Sequence, residues 1–182
     1  MEIQEHLLAL IECPECGHIS KRLQQAENAE RVNYMKDYYE RKRHSISQED
    51  HGKTINLLKE ILEKNENVLF AYLHGSFTEG SNFGDIDIAA YLIQVSDNRL
   101  DVIDYEFKME KTLEEKIGYP VDVRVLNGAP SSFRYSVIKN GIKLVEKDED
   151  KRVDFETMTL KIYFDFLPFR KQYFREALKG EV

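Results

Sequence analysis

The chain has 182 residues, 42% of them hydrophobic and 32% charged, which is enough for one ordinary domain with a real core and a small appendage. A net charge of −7, from 26 basic against 33 acidic residues, argues against broad nucleic-acid binding, which needs a basic face. No stretch approaches the ~20 apolar residues of a membrane span and the acidic start is no secretory leader, so a cytoplasmic protein without a membrane partner is expected.

Residues 3–12 predict a short amphipathic helix, followed by a turn, Cys13-Pro-Glu-Cys16-Gly-His18. A structural zinc site wants four ligands, commonly two Cys pairs, and this chain has one pair. His6 and His18 would complete a Cys2His2 set, and a site shared between two chains would do the same and make the protein an oligomer. An inert knuckle is the plainer alternative, so Zn2+ at Cys13 and Cys16 stays open. A redox pair would open a helix in a βαβ unit, which this segment lacks. Residues 20–43 are rich in helix formers but thin in apolar residues, so this helix is expected at the periphery. Tyr34, Tyr38 and Tyr39 beside Arg41, Lys42 and Arg43 could stack on nucleic acid, but packing on the domain or on a partner is the favoured reading. Residues 1–45 thus read as a helical extension with a CxxC knuckle, and 46–182 as the main domain.

The polar stretch 44–53 leads into that domain, a linker or helix start with Ser47 as N-cap. Ile55, Leu58, Ile61 and Leu62 then recur at helical spacing, and Asn65 closes the helix. The apolar run VLFAYLH, 68–74, predicts a buried strand, and 85–92 a second strand beside it. Leu100, Ile103, Phe107, Leu113 and Ile117 mark a helix over 98–118, ended by Gly118 and Pro120. VDVRVL, 121–126, alternates as a third strand. A helix over 130–140, a short strand over 142–145 and a long helix over 151–178 with a bend at Pro168 complete an α/β (α+β) pattern of a short mixed sheet flanked by helices. The acidic stretches 110–115 and 148–150 read as solvated surface. The aromatic run Tyr163, Phe164, Phe166, Phe169, Tyr173 and Phe174 reads as core or partner surface.

The chemistry concentrates in 73–92. Gly75-Ser76 is followed, eight residues later, by Asp85-Ile86-Asp87. Carboxylates at i and i+2 of a strand share a face and repel, unless divalent cations sit between them. A Gly-Ser turn offers exposed N–H groups and a hydroxyl to a phosphate. Asp122 stands opposite its valine neighbours. It would join the other two acids if its strand pairs beside theirs, and would otherwise lie on the solvent face of an edge strand. Three clustered carboxylates would hold two Mg2+ ions and assist phosphoryl or nucleotidyl transfer.

Gly75-Ser76, Asp85-x-Asp87 and Asp122 together resemble the nucleotidyltransferase superfamily related to polymerase β. The run Val121-Asp-Val-Arg-Val-Leu-Asn-Gly-Ala-Pro130, the helix with Arg134-Tyr135, the Asn140-Gly141 turn with Leu144-Val145-Glu146, and Phe155-Glu156 leading to Tyr163-Phe-Asp-Phe-Leu-Pro168 are similar to the MNT-type (minimal) nucleotidyltransferases. These are typically antitoxin partners of HEPN-domain ribonuclease toxins, and the resemblance spans about residues 53–178. It implies a polymerase β-like nucleotidyltransferase fold and a type VII-like antitoxin that moves AMP from ATP, with Mg2+, onto a tyrosine of a HEPN toxin. By motif, Gly75 and Ser76 would hold the triphosphate, Asp85 and Asp87 would bind both Mg2+ ions, and Asp122 would bind the second and assist deprotonation. The chain departs from the family in its shorter Ser76–Asp85 spacer and in Gly84, where many relatives carry Ser. The alternatives are an aminoglycoside-type small-molecule nucleotidyltransferase and a non-catalytic antitoxin acting by binding.

Overall fold

The computed structural model describes residues 43–80 and 82–177. The Cys13/Cys16 knuckle, the helices expected over 3–12 and 20–43 and the Tyr34, Tyr38 and Tyr39 cluster lie outside the described residues.

Strand β1 (His44–Ser45) leads into helix α1 (Gln48–Lys64). Ser47 caps α1, its hydroxyl accepting the Asp50 N–H at 3.1 Å. Glu49 and Asp50 in the first turn and Lys64 in the last complement the helix dipole. This cap starts α1 ahead of the apolar repeat that begins at Ile55. Strands β2 (Val68–His74), β3 (Asn82–Phe83) and β4 (Ile86–Leu92) follow, then helix α2 (Arg99–Ile117), strand β5 (Val121–Val125), helix α3 (Ser131–Asn140), strand β6 (Ile142–Glu146) and helix α4 (Glu149–Ala177). Asn98 caps α2 by accepting the Leu100 N–H, and Gly118, at φ +78°, ends it in the left-handed conformation that glycine adopts without penalty.

The main sheet has the order β5-β4-β2-β6. β4 and β5 run parallel and the other pairs antiparallel, so the sheet is mixed. The parallel pair needs a crossover, and α2 supplies it. β1 and β3 form a separate two-stranded antiparallel ribbon, with His44 opposite Phe83. His44 and Ser45, placed in the extension by sequence, are therefore joined to the domain, and the His44 ring lies between those of Phe83 and Tyr119.

Helices cover both faces of the sheet. On the first face Leu73, Ile86, Ile88, Val121 and Val123 pack with Leu58 and Leu62 of α1 and Met109 and Leu113 of α2. On the second, Tyr72, Ala89 and Leu126 pack with Phe133 and Val137 of α3 and Phe155 of α4.

One expectation is corrected: 110–115 is not solvated surface throughout. Along α2 Leu113 is buried but Leu100 and Phe107 are 68% and 60% exposed, while Glu106 and Glu110 are buried. Glu106 accepts the backbone N–H of Val125 at 2.7 Å, Glu110 that of Val123 at 3.1 Å, and Glu114 that of Val121 at 3.1 Å. β5 is an edge strand whose outward N–H groups need partners, and three carboxylates one helical turn apart provide them. That hydrogen-bonding demand sets the rotation of α2.

Pro168 sits inside α4, which continues to Ala177. Tyr163 stacks on Tyr135 at 3.8 Å, but Phe164, Phe166, Phe169 and Tyr173 are each more than half exposed. Those four are surface, not core. Among the described residues no helix is long and apolar enough to cross a membrane.

Candidate active site

β2 ends at His74, and the chain turns at Gly75 with φ +78° and ψ −164°, a region essentially confined to glycine. A Cβ there would lie 2.0 Å from Oδ2 of Asp87 and 2.9 Å from its Cγ. Glycine is thus required twice, for the turn and for the space that the Asp87 carboxylate fills. The following turn, Ser76–Thr78, is 3-10 helical, and the Thr78 hydroxyl donates to the Gly75 carbonyl at 2.7 Å. Phe77 is fully buried beneath it, and His51 Nε2 lies 2.8 Å from the Phe77 carbonyl oxygen. Gly75 and Ser76 remain exposed, with Gly75 directly beside Asp87. The turn is anchored from below and open above, as a phosphate-binding loop must be.

Strand register assembles the acids. β2 and β4 place His74 opposite Asp87, and β4 and β5 place Asp87 opposite Asp122. Neighbouring strands are ~4.8 Å apart, so the two aspartates are adjacent rungs on the second face. Asp85 lies between the bend at Gly84 and the start of β4, not in the strand itself. The Ile86 N–H donates to the Pro120 carbonyl at 2.9 Å, which ties this bend to the start of β5. All three acids therefore gather at one end of the β4–β5 pair.

Asp122 unites the two placements that its sequence left open. It is on an edge strand, with its side chain 33% exposed, yet it shares the face of Asp87. Its Oδ1 lies 3.9 Å from Nε of Arg124, the next residue on that face.

The donor set suits Mg2+, a hard cation that takes oxygen ligands and commonly binds through one or two carboxylates plus substrate phosphates. As the side chains stand, no three His, Cys, Asp or Glu among the described residues close around one point. Holding a metal requires the carboxylates to rotate, Asp122 away from Arg124. The exposed Gly-Ser turn leaves room for a phosphate to complete the shell.

Two polar neighbours of the site are engaged elsewhere. Arg134 donates to the Asn127 carbonyl and its guanidinium lies 5.3 Å over the Phe155 ring, with burial lowering its pKa. His74 packs edge-on against Phe133 at 5.5 Å. Sequence reasoning missed the glutamates of α2 that bracket Asp122. Their signal was acidic residues at i, i+4 and i+8, legible only once β5 is known to be an edge.

The family described as "Polymerase beta, Nucleotidyltransferase" matches residues 56–150. No curated protein matches the chain significantly. Among solved structures, the complex of the tri-AMPylated HEPN toxin of Shewanella oneidensis with its MNT antitoxin contains a similar chain. That chain is 21% identical with a TM-score of 0.57, over 70% of this chain and 98% of that one. A toxin–antitoxin structure with AMP-PNP gives 20% identity and a TM-score of 0.57, over 69% and 98%. A third, the MntA–HepT toxin–antitoxin, gives 22% and 0.52, over 72% and 99%. At these identities the likeness is one of fold.

Proposed function

The chain belongs to the polymerase beta nucleotidyltransferase family, and from that premise we propose that it is a Mg2+-dependent protein adenylyltransferase that moves AMP from ATP to a tyrosine of a HEPN-type toxin, acting as its antitoxin. The observation that carries the reading is the parallel register of Asp87 with Asp122 beside a glycine turn whose missing Cβ makes room for the Asp87 carboxylate. The similarity of fold to antitoxin chains solved with HEPN toxins, one toxin AMPylated and one complex holding AMP-PNP, supports the choice of substrate and partner.

In this mechanism the Gly75–Ser76 turn presents backbone N–H groups and the Ser76 hydroxyl to the ATP phosphates. Asp85, Asp87 and Asp122 are the residues that would hold Mg2+. Bound Mg2+ supplies charge neutralisation at the phosphates and lowers the pKa of the attacking hydroxyl. The tyrosyl oxygen forms a bond to the α-phosphorus, the bond to pyrophosphate breaks, and the proton passes to the Asp122 carboxylate. ATP as substrate agrees with a cytoplasmic location.

The test is incubation with ATP labelled at the α-phosphate, with Mg2+ and the protein encoded beside this one. Label is expected on a tyrosine of that partner, and Asp87→Asn should abolish it. Neutralisation of the partner by Asp85→Ala as fully as by wild type, without any label transferred, would sink the catalytic reading in favour of binding alone.

A further inference from the structure

We propose that Glu110 and Glu114, with Glu106 behind them, are positioning residues that fix Asp122 beside Asp87. The inference rests on the reading of Asp122 as a metal ligand. β5 has only five residues and, among the described residues, one neighbouring strand, so no described strand holds its far side. The rungs from Glu114 to the Val121 N–H and from Glu110 to the Val123 N–H bracket Asp122 in sequence. Both are 3.1 Å long, and Glu110 is 7% exposed. A third rung, 2.7 Å from Glu106 to Val125, extends the hold along the strand.

Covering an edge does not by itself call for this arrangement. A charged or proline-bearing edge, a bulge or an apolar helix face would suffice, and buried carboxylates are costly groups to place there. What carboxylates add is fixed register. A slip of one residue along β4 would carry Asp122 to the opposite face of the sheet, beside Ile86 and Ile88. α2 thus acts as the missing neighbouring strand, and it secures the peptide groups on both sides of the one carboxylate that β5 contributes. Partners of this indirect kind orient metal ligands and set metal affinity.

The test uses the full chain with AMP-PNP, following Mn2+ binding by its electron paramagnetic resonance signal and the β5 amides by hydrogen exchange. Glu110→Leu is expected to weaken Mn2+ binding by at least about tenfold and to unprotect the Val123 amide. Glu110→Gln keeps an oxygen that accepts the same N–H and should return both readings to near wild type. Glu115→Leu, on the exposed side of α2, should change neither. Should Glu110→Leu fail to fold, Glu114→Ala is judged by Mn2+ affinity and by the Val121 amide. A Val123 or Val121 amide that exchanges freely while Mn2+ binding stays at wild type overturns the proposal, leaving the glutamates as edge cover. Asp122→Asn separates the two readings. Unchanged Mn2+ binding in that variant removes Asp122 as a ligand and this proposal with it, whereas weakened binding there but not in the glutamate variants removes the proposal alone.

Discussion

The two edges of the sheet are held by different chemistry. At β5 the outward amides are met by the glutamates of α2, two of them buried and Glu114 half-buried, over a strand that carries a candidate catalytic acid. At β6 side-chain ion pairs tie the strand to α4. Glu146 is bound by Lys143 at 2.7 Å and by Arg152 of α4, and Arg152 reaches on to Glu156 at 2.8 Å, which accepts the Tyr72 hydroxyl. Arg152 and Glu146 are only 13% and 21% exposed, but their pairs join side chain to side chain, so a small displacement of the strand can be taken up by side-chain rotation. Backbone N–H groups held by buried acceptors tolerate it less, because a lost acceptor leaves a desolvated donor at a cost of ~1–3 kcal/mol. The rigid device stands beside the proposed metal ligand Asp122, and the compliant one at the edge away from it.

The sharpest way to break this comparison is to remove the acid that the rigid edge carries. Metal-borne charge stabilisation is worth several kcal/mol, so Asp122→Asn or Asp87→Asn should lower the rate of AMP transfer by about a thousandfold. Their thermal midpoints should stay close to wild type, and a rate within tenfold of wild type would deny the row of aspartates its role. Gly75→Ala comes next. Its methyl would sit 2.0 Å from Asp87 Oδ2 in a backbone region closed to alanine, so stability should fall by about 1–3 kcal/mol in urea titration and transfer should collapse. Arg152→Met probes the compliant edge: it should lower the melting temperature by a few degrees while metal binding and transfer persist. Loss of transfer in that variant would erase the distinction between the edges.

The smallest effect is one of pH. Lys143 first, then Arg152, lower the pKa of Glu146 through hydrogen bonds. Its contribution is therefore complete above the ordinary glutamate value of 4.5 and is lost as pH falls through the lowered one. Burial, then the hydrogen bond to Glu156, raise the pKa of Tyr72, so its contribution holds below 10.0 and is lost in stronger base. Hydrogen exchange of β6 amides should rise at both extremes, and the acid limb should disappear in Glu146→Gln.

Much of this architecture was legible in the sequence, because period and punctuation agree. Asn98 and Gly118 bound α2, Ser47 caps α1, and the alternation of Val121, Val123 and Val125 marks β5. The Asp85–Asp87 and Asp122 grouping could be anticipated, since it needs only adjacent strands. β1 and β3 were not legible, as two residues carry no period. The burial of Glu106 and Glu110 was hidden for a different reason. Acidic residues at helical spacing look solvated unless one knows which unpaired amides they face, and that depends on strand order. For the same reason the exposure of Leu100 and Phe107 could not be read from their spacing.

The glutamate rungs also work as a vernier. Four helical residues advance ~6.0 Å and two strand residues ~6.6 Å, so successive rungs drift by about half an ångström. Three rungs lie within the reach of a flexible glutamate, and a much longer series would fall out of step. The scale admits no change of length either. One residue inserted in α2 between Glu106 and Glu114 would swing the rungs beyond it by ~100° around the helix, so this short helical segment must keep its residue count for Asp122 to keep its place.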